Sequence, residues 1–107
     1  MEEIIKTLQK VNDFKALLTV NPGTSKGFPA VKTLYNKPEF LAWKEKTLLL
    51  LRSLKPEPII MDTIALLNDG FKSGWKDETN FRELQAKIGT IIDNIELFLP
   101  DKKVMYL

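Results

Sequence analysis

The fold class is decided by residues 80–100, NFRELQAKIGTIIDNIELFLP. Large apolar side chains recur there at alternating spacings of three and four, at Phe81, Leu84, Ile88, Ile91, Ile95 and Phe98. Such spacing is typical of a heptad seam, in which one face of a helix is buried. Ile92 and Leu99 broaden the apolar stripe, and Pro100 ends it. Asn80 and Glu83 have the spacing of a capping box, so we expect the helix to begin at Asn80.

Three further helices are predicted upstream of this stretch. Residues 2–18 have apolar side chains at helical spacing, at Ile4, Leu8, Val11, Phe14 and Leu18. The second helix begins with a capping box formed by Asn36 and Glu39, and Pro38 falls in its first turn. Its apolar run from Leu48 to Leu51 predicts a helix that is covered on several sides. The third helix spans residues 58–68, and Gly70 is its predicted C-terminal cap.

These four helices predict an all-α fold. Short connections favour antiparallel neighbours, so we expect an up-down four-helix bundle with one longer loop between helices 1 and 2. The length of 107 residues fits a single domain over residues 1–107, which could be a piece of a longer protein.

Missing residue types restrict the chemistry that is open to this protein. The sequence has neither histidine nor cysteine, so it cannot form a Ser-His-Asp triad, a zinc site of the usual kind or a cysteine nucleophile. An enzyme that uses only carboxylates or lysines remains as a minor alternative, and we expect no catalysis, no metal and no cofactor. No apolar run is longer than four residues, as from Leu48 to Leu51, which predicts no membrane segment. An acidic N-terminus unlike a secretion signal favours a cytoplasmic location.

A basic loop precedes the second helix. Residues 1–55 carry ten basic and five acidic side chains, and within them residues 21–37 combine turn residues with lysines and aromatic rings. The candidate contacts for a nucleotide, another anion or a nucleic acid are Lys26, Phe28, Lys32, Tyr35 and Lys37. A nucleic acid is not favoured, because the sequence has no arginine before Arg52 and the net charge is only +2. The alternative interpretation is a solvated connection.

The strongest functional hypothesis is a non-catalytic helical module that mediates oligomerisation or docks onto another protein domain. Trp75 either folds back over the bundle as a lid or stays exposed as a contact residue. The other candidate interface residues lie on the last helix and in the tail, at Ile92, Leu99, Met105 and Tyr106. A core-facing stripe explains the apolar seam of the last helix equally well.

The run Lys37-Pro38-Glu39-Phe40, with Trp43 and then Leu48 to Leu51, resembles an uncharacterised bacterial helical module. That module has an amphipathic first helix and a polar loop before a "Glu-Phe-x-x-Trp" helix, and it closes with a helix like residues 81–98. The resemblance covers nearly the whole chain, although Pro56-Glu57-Pro58 replaces the glycine-and-acid turn of the module. It implies an accessory N-terminal region of a larger protein, in some cases a phage-defence effector, and it assigns no site residues.

Overall fold

The computed structural model describes residues 2–20 and 32–100. These contain five α-helices, one 3-10 helix and two short strands: α1 (Glu2–Gln9), the 3-10 helix (Lys10–Leu17), β1 (Thr19–Val20), β2 (Lys32–Thr33), α2 (Pro38–Arg52), α3 (Pro58–Asp69), α4 (Asp77–Asp93) and α5 (Ile95–Phe98). The described residues are mostly helical, and the predicted all-α class is confirmed.

The first predicted helix is divided into two kinds of helix. Residues 2–9 are α-helical, and residues 10–17 form a 3-10 helix, which is long for this type. Leu8, Val11, Phe14 and Leu17 are spaced by three residues, so they stack on one side of a helix that has three residues per turn. The first three of these side chains are buried. At the change of helix type, the Trp43 indole N–H donates to the Thr7 carbonyl at 2.8 Å, which fixes α1 to α2.

The connection between the first helical segment and α2 includes a short antiparallel pair that the sequence did not suggest. Thr19 lies opposite Thr33, and Val20 lies opposite Lys32. Two residues per strand are too few to show the period-two alternation by which a strand is recognised in a sequence. The pair positions the start of residues 32–37 against the first helical segment.

Both predicted capping boxes are wrong. α2 begins at Pro38 behind Lys37, without a side-chain cap, and Asn36 Oδ1 instead accepts from Thr33 Oγ1 at 3.3 Å. α4 begins at Asp77, so Asn80 lies inside the helix, where its Nδ2 donates to the Gly70 carbonyl at 2.8 Å. In neither case does the asparagine side chain cap the helix that its spacing predicted. The prediction of Pro38 in the first turn and of a third helix ending at Gly70 is confirmed.

The apolar seam of the last predicted helix faces the core as expected. Its six members are all buried: Phe81, Leu84, Ile88, Ile91, Ile95 and Phe98. The helix itself is not continuous, because α4 ends at Asp93 and α5 starts at Ile95. In α2 the prediction of cover on several sides is wrong at Leu49, which is 70% exposed while Leu48 and Leu51 are buried.

The four longer α-helices enclose one core. α1 contacts α2 and α4, and α3 contacts the same two helices. An aromatic cluster joins the elements: the Phe40 ring lies 5.5 Å from Phe14 and 4.9 Å from Phe71, measured between ring centroids. Phe71 belongs to the connection between α3 and α4, so this cluster also anchors the segment that carries the site described next.

Candidate functional site

A buried carboxylate joins the segment before α2 to the beginning of α4. Asp77, in the first turn of α4, is 1% exposed. Its Oδ2 accepts from the backbone N–H groups of Leu34 at 2.6 Å and of Tyr35 at 2.7 Å. In the described part of the chain, the other oxygen, Oδ1, is buried without a hydrogen-bond partner. The N-terminal end of a helix favours such a negative charge.

Gly74 completes the same contact from the connection between α3 and α4. Its φ of +83° lies in the region that favours glycine. A Cβ atom at this position would lie 2.6 Å from Cε1 of Tyr35 and 2.8 Å from Cγ2 of Thr33. Because no real Cβ approaches other carbon atoms so closely, the connection can pack here only with a glycine. Gly74 and Asp77 therefore hold residues 33–35 from two points, and we call this contact the Asp77 clamp.

Trp75 is held in the middle of the clamp but points away from it. Phe71, Gly74 and Asp77 around it are buried, whereas Trp75 is 64% exposed. Trp75 therefore does not fold over the bundle as a lid, and its role as a contact residue stays a prediction. Its backbone is held between Gly74 and Asp77, both of which are buried.

Charges of both signs lie next to Trp75 along the chain. Lys72 and Asp69 form an exposed ion pair of 3.2 Å, while Lys76 is exposed. We call Trp75 together with Asp69, Lys72 and Lys76 the Trp75 surface.

A second feature is a basic cleft between the 3-10 helix and α4, with a cavity volume of about 250 Å³. Its cationic side chains come from three elements: Lys15 from the 3-10 helix, Lys32 from β2 and Arg82 from α4. Glu78 lies 3.9 Å from Lys32 and 3.2 Å from Arg82, measured from nitrogen to oxygen. The remaining lining side chains are Leu18, Phe81 and Gln85.

The predicted anion contacts are only partly brought together. Lys32 lines the basic cleft, but Tyr35 and Lys37 do not. The Tyr35 ring instead packs on Gly74, and Lys37 is half-buried directly before α2. Lys26 and Phe28 lie outside the described residues.

The predicted interface residues also separate. Trp75 is exposed, but Ile92 and Leu99 are half-buried and pack against the core. Met105 and Tyr106 lie outside the described residues. The exposed apolar side chain of the last helical segment is Leu97, on α5.

Sequence reasoning missed the residues that build both features. In the sequence, Asp77 and Gly74 are recognisable only as members of a charged, glycine-containing connection. Lys15 and Arg82 look like parts of ordinary polar helix faces. Arg82 had one usable signal, because it lies four residues after Glu78 and pairs with it. No signal pairs Asp77 with Leu34 and Tyr35, which are over forty residues away.

Residues 2–20 and 32–100 contain no group of three or more carboxylate side chains placed to hold a metal ion. No helix among them has the length and apolarity needed to cross a bilayer.

The comparisons with protein-family models, with curated proteins and with solved structures give no match.

Proposed function

We propose that this chain is a non-catalytic helical interaction module that associates with a second copy of itself through the Trp75 surface. The observation that carries the proposal is the exposure of a tryptophan on a connection whose neighbouring residues are buried. Tryptophan is among the residues most enriched at the energetic centres of protein interfaces. Its apolar area gains free energy when a partner removes it from water.

The Asp77 clamp supports this function because it reduces the entropy lost on binding. A side chain on a mobile loop must be ordered when the complex forms, and this ordering weakens the affinity. Trp75 lies between Gly74 and Asp77, whose backbone and side chain are already fixed in the folded chain. The association therefore begins from a contact residue whose backbone is already positioned.

A second copy is the partner that fits the charges around Trp75. A two-fold interface uses the same patch on both subunits, so the patch must complement itself. Lys72 and Lys76 on one copy would face Asp69 on the other, while the two indoles meet near the axis; Glu78 is already paired with Lys32 and Arg82. The net charge of +2 gives little repulsion between copies.

The test is sedimentation velocity of the whole chain over a concentration series from about 5 to 500 µM, a range in which small interfaces of this kind associate. We expect the sedimentation coefficient to rise with concentration for the wild type. The variant Trp75→Ala should stay monomeric over the same range. The matched control is Leu97→Ala, which removes another exposed apolar side chain, on α5, and should behave as the wild type.

Either of two results would overturn the proposal. One is a wild type that is monomeric throughout the series. The other is a Trp75→Ala variant that associates as strongly as the wild type does. If Leu97→Ala alone abolished association, the contact would lie on α5 and the assignment to Trp75 would be wrong.

Three broader expectations stand beside this proposal. The first is that α1, α2, α3 and α4 form an up-down four-helix bundle, which the contacts of α1 and α3 with both α2 and α4 support. The second is a cytoplasmic location. The third is kinship with the bacterial accessory module described above.

A second candidate function is binding of an anion through residues 21–37. One observation favours it, because Lys32 shares the basic cleft with Lys15 and Arg82. Tyr35 and Lys37 do not line the cleft. Among the described residues of the loop, Lys32 alone therefore supports anion binding.

A further inference from the structure

We propose that the basic cleft between the 3-10 helix and α4 binds a small phosphomonoester that carries a flat apolar group. Three cationic side chains line it, and each belongs to a different element: Lys15, Lys32 and Arg82. The convergence of three elements on one cavity distinguishes this cleft from a run of lysines along a single solvated helix face. Its lining residues are not part of the Trp75 surface, and the site does not depend on the proposed self-association.

The charge balance of the cleft favours a dianion. Glu78 is the only acidic side chain among the described residues that line the cavity, and its carboxylate lies near both Lys32 and Arg82. Three positive charges and one negative charge leave an excess of two. A phosphomonoester carries a charge of about −1.5 to −2 at neutral pH, which matches this excess.

Arg82 is suited to the phosphate and is already oriented. Its Nη2 donates to Glu78 Oε2 at 3.2 Å, one turn earlier on the same helix. A guanidinium group has five N–H donors in a planar fork, so one bond to Glu78 leaves donors for phosphate oxygens. Lys15 and Lys32 would add two ammonium groups from the 3-10 helix and β2.

The apolar lining and the volume define the rest of the ligand. Phe81 is almost fully buried and Leu18 half-buried, and both contribute to the lining. Gln85, whose Nε2 donates to Asn12 Oδ1 at 3.0 Å, adds a polar wall. A cavity volume of about 250 Å³ is below the usual range for drug-sized ligands. It therefore fits a phosphate with one small ring better than a folded macromolecule.

The experiment is a titration of the whole chain with phenyl phosphate at low salt, followed by two-dimensional amide NMR. We expect saturable shifts at Phe81, Arg82 and Gln85, and weaker binding of inorganic phosphate, which has no ring. Arg82→Ala should weaken the binding of phenyl phosphate about tenfold, as the loss of a charge-assisted hydrogen bond would. The matched control Arg52→Ala removes an exposed arginine at the end of α2 and should leave the affinity unchanged.

A second variant separates a binding site from a structural ion pair. Glu78→Gln removes the acid that competes with the ligand for Lys32 and Arg82, so it should raise the affinity about threefold to tenfold. A purely structural role for these charges predicts no such gain. A titration with a fluorescent single-stranded oligonucleotide of about ten nucleotides tests the other source of phosphate, which is a nucleic-acid backbone.

Three outcomes would overturn the proposal. The first is no saturable shift up to about 10 mM phenyl phosphate, a concentration at which only very weak sites stay empty. The second is an equal effect of Arg82→Ala and Arg52→Ala. The third is an oligonucleotide that binds far more tightly than phenyl phosphate through Arg82, because the surface would then belong to a nucleic acid. None of these outcomes bears on the sedimentation result for Trp75.

Discussion

A buried carboxylate is stable in a protein only where hydrogen bonds replace the water that it has lost. Asp77 meets this condition because it accepts from the backbone N–H groups of Leu34 and Tyr35. Among the described residues, neither N–H group has another acceptor. Removing the carboxylate therefore leaves two backbone donors unpaired, one of them fully buried. The loss extends beyond the hydrogen bonds, because the clamp also positions Gly74 and Trp75.

We expect Asp77→Ala to lower the free energy of unfolding by about 3 kcal/mol, the sum expected for two hydrogen bonds to a charged group. The measurement is equilibrium unfolding in urea, followed by circular dichroism. Asp93→Ala is the control on the same helix, and since Asp93 is exposed, its effect should stay within about 0.5 kcal/mol. Equal losses for the two variants would show that the clamp does not stabilise the fold.

Trp75 and Asp77 show how much of the site could be predicted from the sequence. The exposed Trp75 was one of two predicted alternatives, because an aromatic residue in a glycine-containing connection is recognisable in a sequence. The clamp was not predictable, since the partners of Asp77 lie over forty positions away and hydrogen-bond through their backbone. Asn36 and Asn80 illustrate the opposite error: spacing predicted caps, but Asn36 accepts from Thr33, three residues earlier, and Asn80 donates to the Gly70 carbonyl before α4.

Among the secondary-structure elements, α4 was predicted best. Its buried positions follow directly from the alternating spacing of three and four, because burial of a helix face depends on periodicity and not on its exact ends. The break at Asn94 and the start at Asp77 were missed, since helix ends depend on local contacts that periodicity does not record. The 3-10 helix was missed although Leu8, Val11, Phe14 and Leu17 have a spacing of three. Spacings of three and four from Ile4 to Leu18 fitted an α-helix equally well.

The difference between the seam and its flank on α4 gives an element-level prediction. Ile88 is 1% exposed, whereas Ile92 is half-buried. Ile88→Ala should cost about 3 kcal/mol of unfolding free energy, because it removes buried apolar area and leaves a cavity. Ile92→Ala should cost about 1 kcal/mol, and thermal or urea unfolding measures both. If the two losses were equal, or if Ile92 gave the larger one, Ile92 would belong to the core or to an interface that the described contacts do not include.

For the molecule as a whole, stability and association are thermodynamically linked. If two folded copies bind each other, raising the protein concentration stabilises the folded state. The melting temperature of the wild type should therefore rise by roughly 3 °C for each tenfold increase in concentration above the dissociation constant. Trp75→Ala should melt at the same temperature at every concentration, as judged by differential scanning calorimetry. A wild type with a constant melting temperature would contradict the sedimentation result that we expect.

The Asp77 clamp also determines when the Trp75 surface comes into existence. Because its hydrogen bonds join residues more than forty positions apart, they form only after the two halves of the chain have met. A nascent or partly unfolded copy has the same tryptophan but not the ordered connection that presents it. If copies associate through the Trp75 surface as proposed, recognition between them is restricted to chains that have completed folding, and the interface discriminates against misfolded partners.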